Sequence, residues 1–248
     1  METELILYAA ESLKEAFAGL IPAFEKEHGC RVMAVWGPSG ALRHDIEGLM
    51  PCDVFCSADR ENPAALNLAG KAMDLFSFAR NRMIVVTKDE RRFLNSDWLT
   101  LLCDPSIAIG TSTPVVSPEG DWARKLFQNT GKAYPKKIGS KIIAQHSVPL
   151  IGGNRTDENL EGETGANFIL RHGVDAAVVY GSWKDRVLKE GLRVYEIAPE
   201  AQPEITYWGC FGRTGKAPAA LAKAFREYLL SPAAQAALKA AGFREAAE

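Results

Sequence analysis

The chain has 248 residues, 47% of them hydrophobic, which suffices for one large core or two moderate ones. With 29 basic and 31 acidic residues its net charge is −2, so it offers nucleic acid no electrostatic footprint. No apolar run approaches the roughly 20 residues that cross a bilayer.

The first strand-like segment begins at about Glu4, which leaves no room for a secretory leader. The expectation is a cytosolic protein, or a processed form with an added starting methionine. Leu5 to Ala10 is a short continuous apolar run, typical of a strand covered on both faces. From Ser12 the apolar positions Leu13, Ala16, Phe17, Leu20, Ile21 and Phe24 keep helical spacing to about His28, where Gly29 ends the segment. Arg31 to Trp36 reads as a buried strand and Ala41 to Leu49 as an amphipathic helix. Between them Gly37-Pro38-Ser39-Gly40 is how a sharp strand-to-helix turn is written. The first N–H groups of such a helix lack partners inside it and its dipole makes that end partly positive, so a serine there helps to receive an anion without lysine or arginine. Ser39 could equally cap its own helix. A second turn of this kind at Ser12 favours the anion reading.

Asp53 to Ser57 is a strand, about Glu61 to Ala69 a helix, and Arg82 to Thr87 a strand. This βαβ rhythm predicts a doubly wound α/β sheet, in which ligands bind where loops leave the carboxyl ends of strands. Ser106 to Gly110 reads as a strand. Pro118-Glu119-Gly120-Asp121 opens a helix to about Asn129, with proline and acids in its first turn. Lys132 to Asn159 has no clear period. Glu163 to Arg171 looks helical, Asp175 to Tyr180 is a buried strand, and Arg193 to Ile197 is another. The alanine-rich segments Pro218 to Leu230 and Pro232 to Ala241 close the chain as helices, separated by the start signal Ser231-Pro232. The five cysteines are scattered and odd in number, and the Cys52/Cys56 spacing has no partner pair or nearby histidine, which points to buried apolar residues rather than a metal site.

Several of these stretches, Ala9-Ala10-Glu11-Ser12-Leu13, Gly37-Pro38-Ser39-Gly40-Ala41-Leu42 and Asp53-Val54-Phe55-Cys56-Ser57-Ala58-Asp59, resemble the periplasmic molybdate-binding proteins of ABC transporters. So do Pro118 to Ala123, Asp175 to Tyr180 and the closing run Tyr228 to Gln235 ending at Gly242-Phe243. The resemblance implies a two-lobed α/β fold of the type II periplasmic-binding-protein kind with a ligand cleft between the lobes. One lobe would comprise residues 1–80 plus 200–248 and the other 81–199. It further implies a non-enzymatic, monomeric, periplasmic binder with no cofactor and no metal beyond that of its ligand. The ligand would be molybdate or tungstate, handed to a membrane permease. By motif position the oxyanion donors are the hydroxyls of Ser12, Ser39 and Tyr180, the backbone N–H of Glu119, and another near Gly162. The chain is longer than the family pattern between Glu119 and Tyr180, and the turn Gly152-Gly153-Asn154 could supply a backbone nest instead. It also carries Glu11 and Glu119 where the family has small residues. A carboxylate facing the ligand would repel a dianion, accept from a protonated oxyanion or take part in binding a cation; side chains beside an N–H donor often point outward, and that harmless orientation is the expectation.

Without the resemblance, Tyr180 reads as a packing tyrosine at a strand end and Asp59 as a helix cap. Trp36, Trp122 and Trp183 read as core or wall, and Arg43, Arg82 and Arg155 as candidate site charge. A serine hydrolase is the alternative from another class. It would need a histidine beside Ser12 or Ser39; His28 and His44 lie late in or inside helices, His146 falls in the unparsed region, and no Gly-x-Ser-x-Gly occurs. The sensing domain of a regulator would need a DNA-binding helix pair or a basic stretch, and neither is present.

Overall fold

The computed structural model describes residues 3–115, 117–135, 147–151, 170 and 173–246. The chain divides into two compact units, Met1–Asn81 with Ile205–Glu248, and Arg82–Glu204.

The first unit is built on the sheet order β2-β1-β3-β10-β4, with strands β1 (Thr3–Ala10), β2 (Cys30–Gly37), β3 (Val54–Ser57), β4 (Ala72–Asn81) and β10 (Ile205–Gly212). β1 lies between β2 and β3 and is parallel to both, while β10 runs antiparallel to β3 and β4. The sheet is therefore mixed, and β4 and β10 are strands that the apolar-run reading passes over. Helices α1 (Lys14–His28), α2 (Ser39–Glu47), α3 (Glu61–Leu68), α7 (Ala219–Leu230) and α8 (Pro232–Ala240) cover it. α1 brings Phe17 and Phe24 edge-on to Phe225 of α7, with ring centroids 6.3 and 5.0 Å apart. Leu42 and Ile46 of α2 and Leu66 of α3 share a second core with Tyr8, Phe55 and Cys210. α1 stops where the spacing predicts, at Gly29, whose φ of 58° is left-handed and whose N–H bonds Glu25 C=O. It begins later than expected, because Glu11–Leu13 form a separate 3-10 turn ahead of it.

The second unit has the sheet order β7-β6-β8-β5-β9, with β5 (Met83–Lys88), β6 (Ile109–Ser112), β7 (Ser147–Ile151), β8 (Ala176–Tyr180) and β9 (Leu192–Glu196). β6 is parallel to β7 and β8, and β5 is antiparallel to β8 and β9. Ile84, Val86, Ala177 and Val179 of the central strands form its core with Leu170, Val174 and Val187. Its described α-helices are α4 (Trp98–Cys103), α5 (Pro118–Ala133) and α6 (Lys184–Lys189). Among the described residues of both units, no helix is long and apolar enough to cross a membrane.

Candidate functional site

In the first unit, β1 and β2 pair in parallel with Ala10 opposite Gly37, so their loops leave the same edge of the sheet side by side. Ser12 lies in the 3-10 turn after β1; Ser39 is the first residue of α2, behind Pro38, whose extended φ/ψ of −60°/133° turns the chain. A third loop, Ser57-Ala58-Asp59, leaves β3 at the same edge, since Ala9 pairs with Cys56. Neither serine caps a helix: no side-chain cap bond occurs at either helix start. Ser39 is 1% exposed, and its Oγ accepts the Ala58 N–H at 3.2 Å. Its own proton has no acceptor among the described residues. The intrahelical ladder of α2 starts at Leu42, which bonds Pro38 C=O at 3.0 Å. The N–H groups of Ser39, Gly40 and Ala41 thus precede it, at the positive end of the helix dipole.

The Ala58 loop is held in turn. Asp59 accepts from Ser57 Oγ (2.9 Å), Asn62 N–H (3.0 Å) and Asn62 Nδ2 (2.7 Å), so it caps the start of α3. Burial pushes its carboxyl above the ordinary range, and the bonds from Asn62 and Ser57 oppose that. Ser12 Oγ lies 2.9 Å from the hydroxyl of Tyr207, which also receives the Asn81 amide at 3.3 Å. Tyr207 and Asn81 have no signal in the sequence, because β10 brings Tyr207 to Ser12 across 195 residues, and Asn81, at the end of β4, reaches Tyr207 across 126. Glu11 is half exposed and pairs with Lys14 at 3.5 Å.

In the second unit, Glu119 stands in the first turn of α5, behind Pro118. Pro118 has no N–H and Gly120 bonds Ser117 C=O at 3.0 Å, so the Glu119 N–H is the first-turn donor without a partner among the described residues. Its carboxylate folds back into the unit, accepting from Ser112 Oγ at 2.5 Å and from the Tyr180 N–H at 2.8 Å. One buried side chain therefore ties the ends of β6 and β8 to the start of α5. Burial pushes this carboxyl above the ordinary range against both bonds. α5 approaches so closely that a Cβ on Gly120 would lie 2.4 Å from Ser112 O. Tyr180 is 3% exposed at the end of β8. Behind it, Gly181 N–H bonds Arg82 C=O at 2.7 Å, and the Arg82 guanidinium pairs with Glu196, as does Lys184.

Of the other candidates, Arg43 pairs with Glu47 and Trp36 packs edge-on to Phe17. His28 stacks on Phe24 and His44 pairs with Glu47, so no histidine among the described residues serves either serine as a base. Gly162, the Gly152-Gly153-Asn154 turn, Arg155, His146 and His172 lie outside the described residues. Cys52, Cys56 and Cys210 are buried, and burial pushes their thiols up, that of Cys210 to about 12. No group of three or more His, Cys, Asp or Glu that could hold a metal ion occurs among the described residues.

Comparison with known proteins gives the chain its relatives. The profile of the bacterial extracellular solute-binding proteins matches residues 5–244. An uncharacterised protein of Pasteurella multocida is 32% identical over 59% of this chain and 61% of its own length. The molybdate-binding protein ModA of Escherichia coli is 26% identical over 98% of this chain and 89% of its own. Among solved structures, the periplasmic molybdate-binding protein of Azotobacter vinelandii superposes with a TM-score of 0.77 at 20% identity, covering 98% of this chain and 100% of that one. The sulfate-binding protein SubI of Mycobacterium tuberculosis also reaches 0.77 at 20% identity, over 98% and 87%. At such identities the structures show a shared fold, that of the two-lobed type II periplasmic binding proteins. The chain belongs to the bacterial extracellular solute-binding protein family and is a binding protein rather than an enzyme.

Proposed function

We propose that this protein captures a tetrahedral oxyanion, molybdate or tungstate, in the periplasm and delivers it as a monomer to the membrane permease of an ABC transporter. The observation that carries the reading is the buried Ser39 hydroxyl. Its oxygen is occupied by Ala58 N–H, its proton is unclaimed among the described residues, and it sits at a helix N-terminus one strand from Ser12. Such a site consists of donors, which suits a fully ionised oxyanion. Each hydrogen bond to a charged oxygen contributes about 1.5–3 kcal/mol, so a few of them hold a dianion without a counter-charge. In this reading Ser12 and Ser39 supply the hydroxyls of the first unit, and the Glu119 N–H, Tyr180 and the backbone near Gly162 complete the donor set. The folding back of the Glu119 carboxylate onto Ser112 and Tyr180 supports a role for its N–H rather than its side chain.

Calorimetric titration with molybdate, tungstate, sulfate and phosphate tests the reading. Tight one-to-one binding of the first two, with sulfate and phosphate much weaker, is the expected outcome. Sulfate binding as tightly as molybdate would make the protein a sulfate binder. Phosphate binding best would show that the ligand carries a proton and meets an acceptor. No binding of any of the four would refute the oxyanion reading.

A further inference from the structure

The partly exposed Ser12 hydroxyl is bonded from behind by a buried phenol, and the direction of that bond decides what Ser12 can do. Tyr207 is 0% exposed and Asn81 5% exposed. The Tyr207 ring is clamped edge-on by Phe243 and Phe78, at centroid distances of 5.3 and 6.2 Å, so its hydroxyl is fixed in place. Two hydroxyls 2.9 Å apart share one proton between them, and either could be the donor. Two facts favour Tyr207. A phenol is a far stronger acid than an aliphatic alcohol, and so the better donor of the pair. The Asn81 amide donates to the phenol oxygen at 3.3 Å, which fills an acceptor position there and strengthens the phenol as a donor.

With Tyr207 donating, the Ser12 oxygen is satisfied from within the fold and its own proton turns outward. With the bond reversed, Ser12 would send its proton inward and present lone pairs to an anion. We infer that Tyr207, held by Asn81, is a positioning residue that donates to Ser12 Oγ and thereby commits the serine's proton to the bound oxyanion. The inference rests on the proposed role of Ser12 as an oxyanion donor. It adds a chain of three neutral groups, Asn81 to Tyr207 to Ser12, that delivers a polarised donor to the site without placing a charge near it.

A double-mutant cycle tests it, using whichever of molybdate, tungstate, sulfate and phosphate binds the parent most tightly. Ser12→Ala should weaken binding about ten- to hundredfold and Tyr207→Phe, which keeps the ring packing, about three- to tenfold. In the Ser12→Ala background Tyr207→Phe should change affinity less than about twofold, because its effect passes through the lost hydroxyl. Thermal melts of all four proteins report any loss of packing. An equal effect of Tyr207→Phe in both backgrounds would show that Tyr207 acts through structure alone and would overturn the inference, leaving the proposed function intact. Parent-like affinity of Ser12→Ala would remove Ser12 from the site and overturn both. Should Tyr207→Phe not fold, Asn81→Leu, which removes the outer donor at similar bulk, enters the same cycle with the same expected dependence on Ser12.

Discussion

Ser39→Ala separates a binding hydroxyl from a structural one, because the two roles have different magnitudes and different readouts. The hydroxyl oxygen takes the Ala58 N–H at 3.2 Å, and Ser39 itself is 1% exposed. Removing it forfeits one neutral hydrogen bond, about 1 kcal/mol of stability, or roughly 2–4 °C in Tm for a protein of this size. The hydroxyl proton, directed at a charged oxygen, is a charge-assisted donor. Its loss costs about 1.5–3 kcal/mol of affinity, roughly a ten- to hundred-and-fifty-fold rise in Kd. The larger effect must therefore appear in binding. Calorimetry at 25 °C, well below the melt, reads the affinity of folded protein, while scanning calorimetry without ligand reads the stability. A variant with lowered Tm and a Kd within about twofold of the parent would refute the reasoning, since the hydroxyl would then serve only the loop after β3.

Two further perturbations concern the start of α5. The folded pKa of Glu119 is raised by burial, so the folded state holds its proton more tightly than the unfolded state; the resulting stability is fully present below the ordinary carboxylate range and is lost as pH rises through the folded value. Glu119→Gln, whose amide can donate to Ser112 and accept from Tyr180 N–H, removes that slope: melts between about pH 4 and pH 8 should show it gaining on the parent as pH rises. The opposite trend would mean that the two hydrogen bonds outweigh burial. Gly120→Ala would set a Cβ 2.4 Å from Ser112 O and 2.6 Å from Pro114 N, both backbone atoms that cannot swing aside. The overpacking, about 1–3 kcal/mol, should exceed the roughly 1 kcal/mol that alanine adds to helix propensity, so the urea midpoint falls. A midpoint at or above the parent's would show that the turn can shift.

What the sequence makes legible here is what short-range chemistry writes. β1, the Gly29 stop of α1 and the Pro118 start of α5 each rest on residues within a few positions of one another, and they stand where the pattern puts them. The two serine turns are legible for the same reason. β4 and β10 are not, because each interrupts its own signal. Asp74, at a left-handed φ of 53°, breaks the apolar run of β4, and β10 carries Gly209 and register shifts against its partner. Those two strands are also the ones that bring Asn81 and Tyr207 to Ser12. The same limit governs Glu119. Its departure from the family's small residue leaves the sequence to allow a carboxylate facing the ligand or one turned away; in the fold that carboxylate is taken up by Tyr180 N–H, 61 residues away. A donor's existence is thus a local property of a turn. The direction of its proton, and whether a neighbouring charge is spent inside the fold, depend on partners that only the assembled sheet supplies. Ser12 and Ser39 show both cases: Ser39 takes its backing bond from Ala58, one loop away on the same sheet edge, whereas Ser12 takes its own from a strand at the far end of the chain. Affinity in such a site should therefore respond to buried residues like Tyr207 that never touch the ligand.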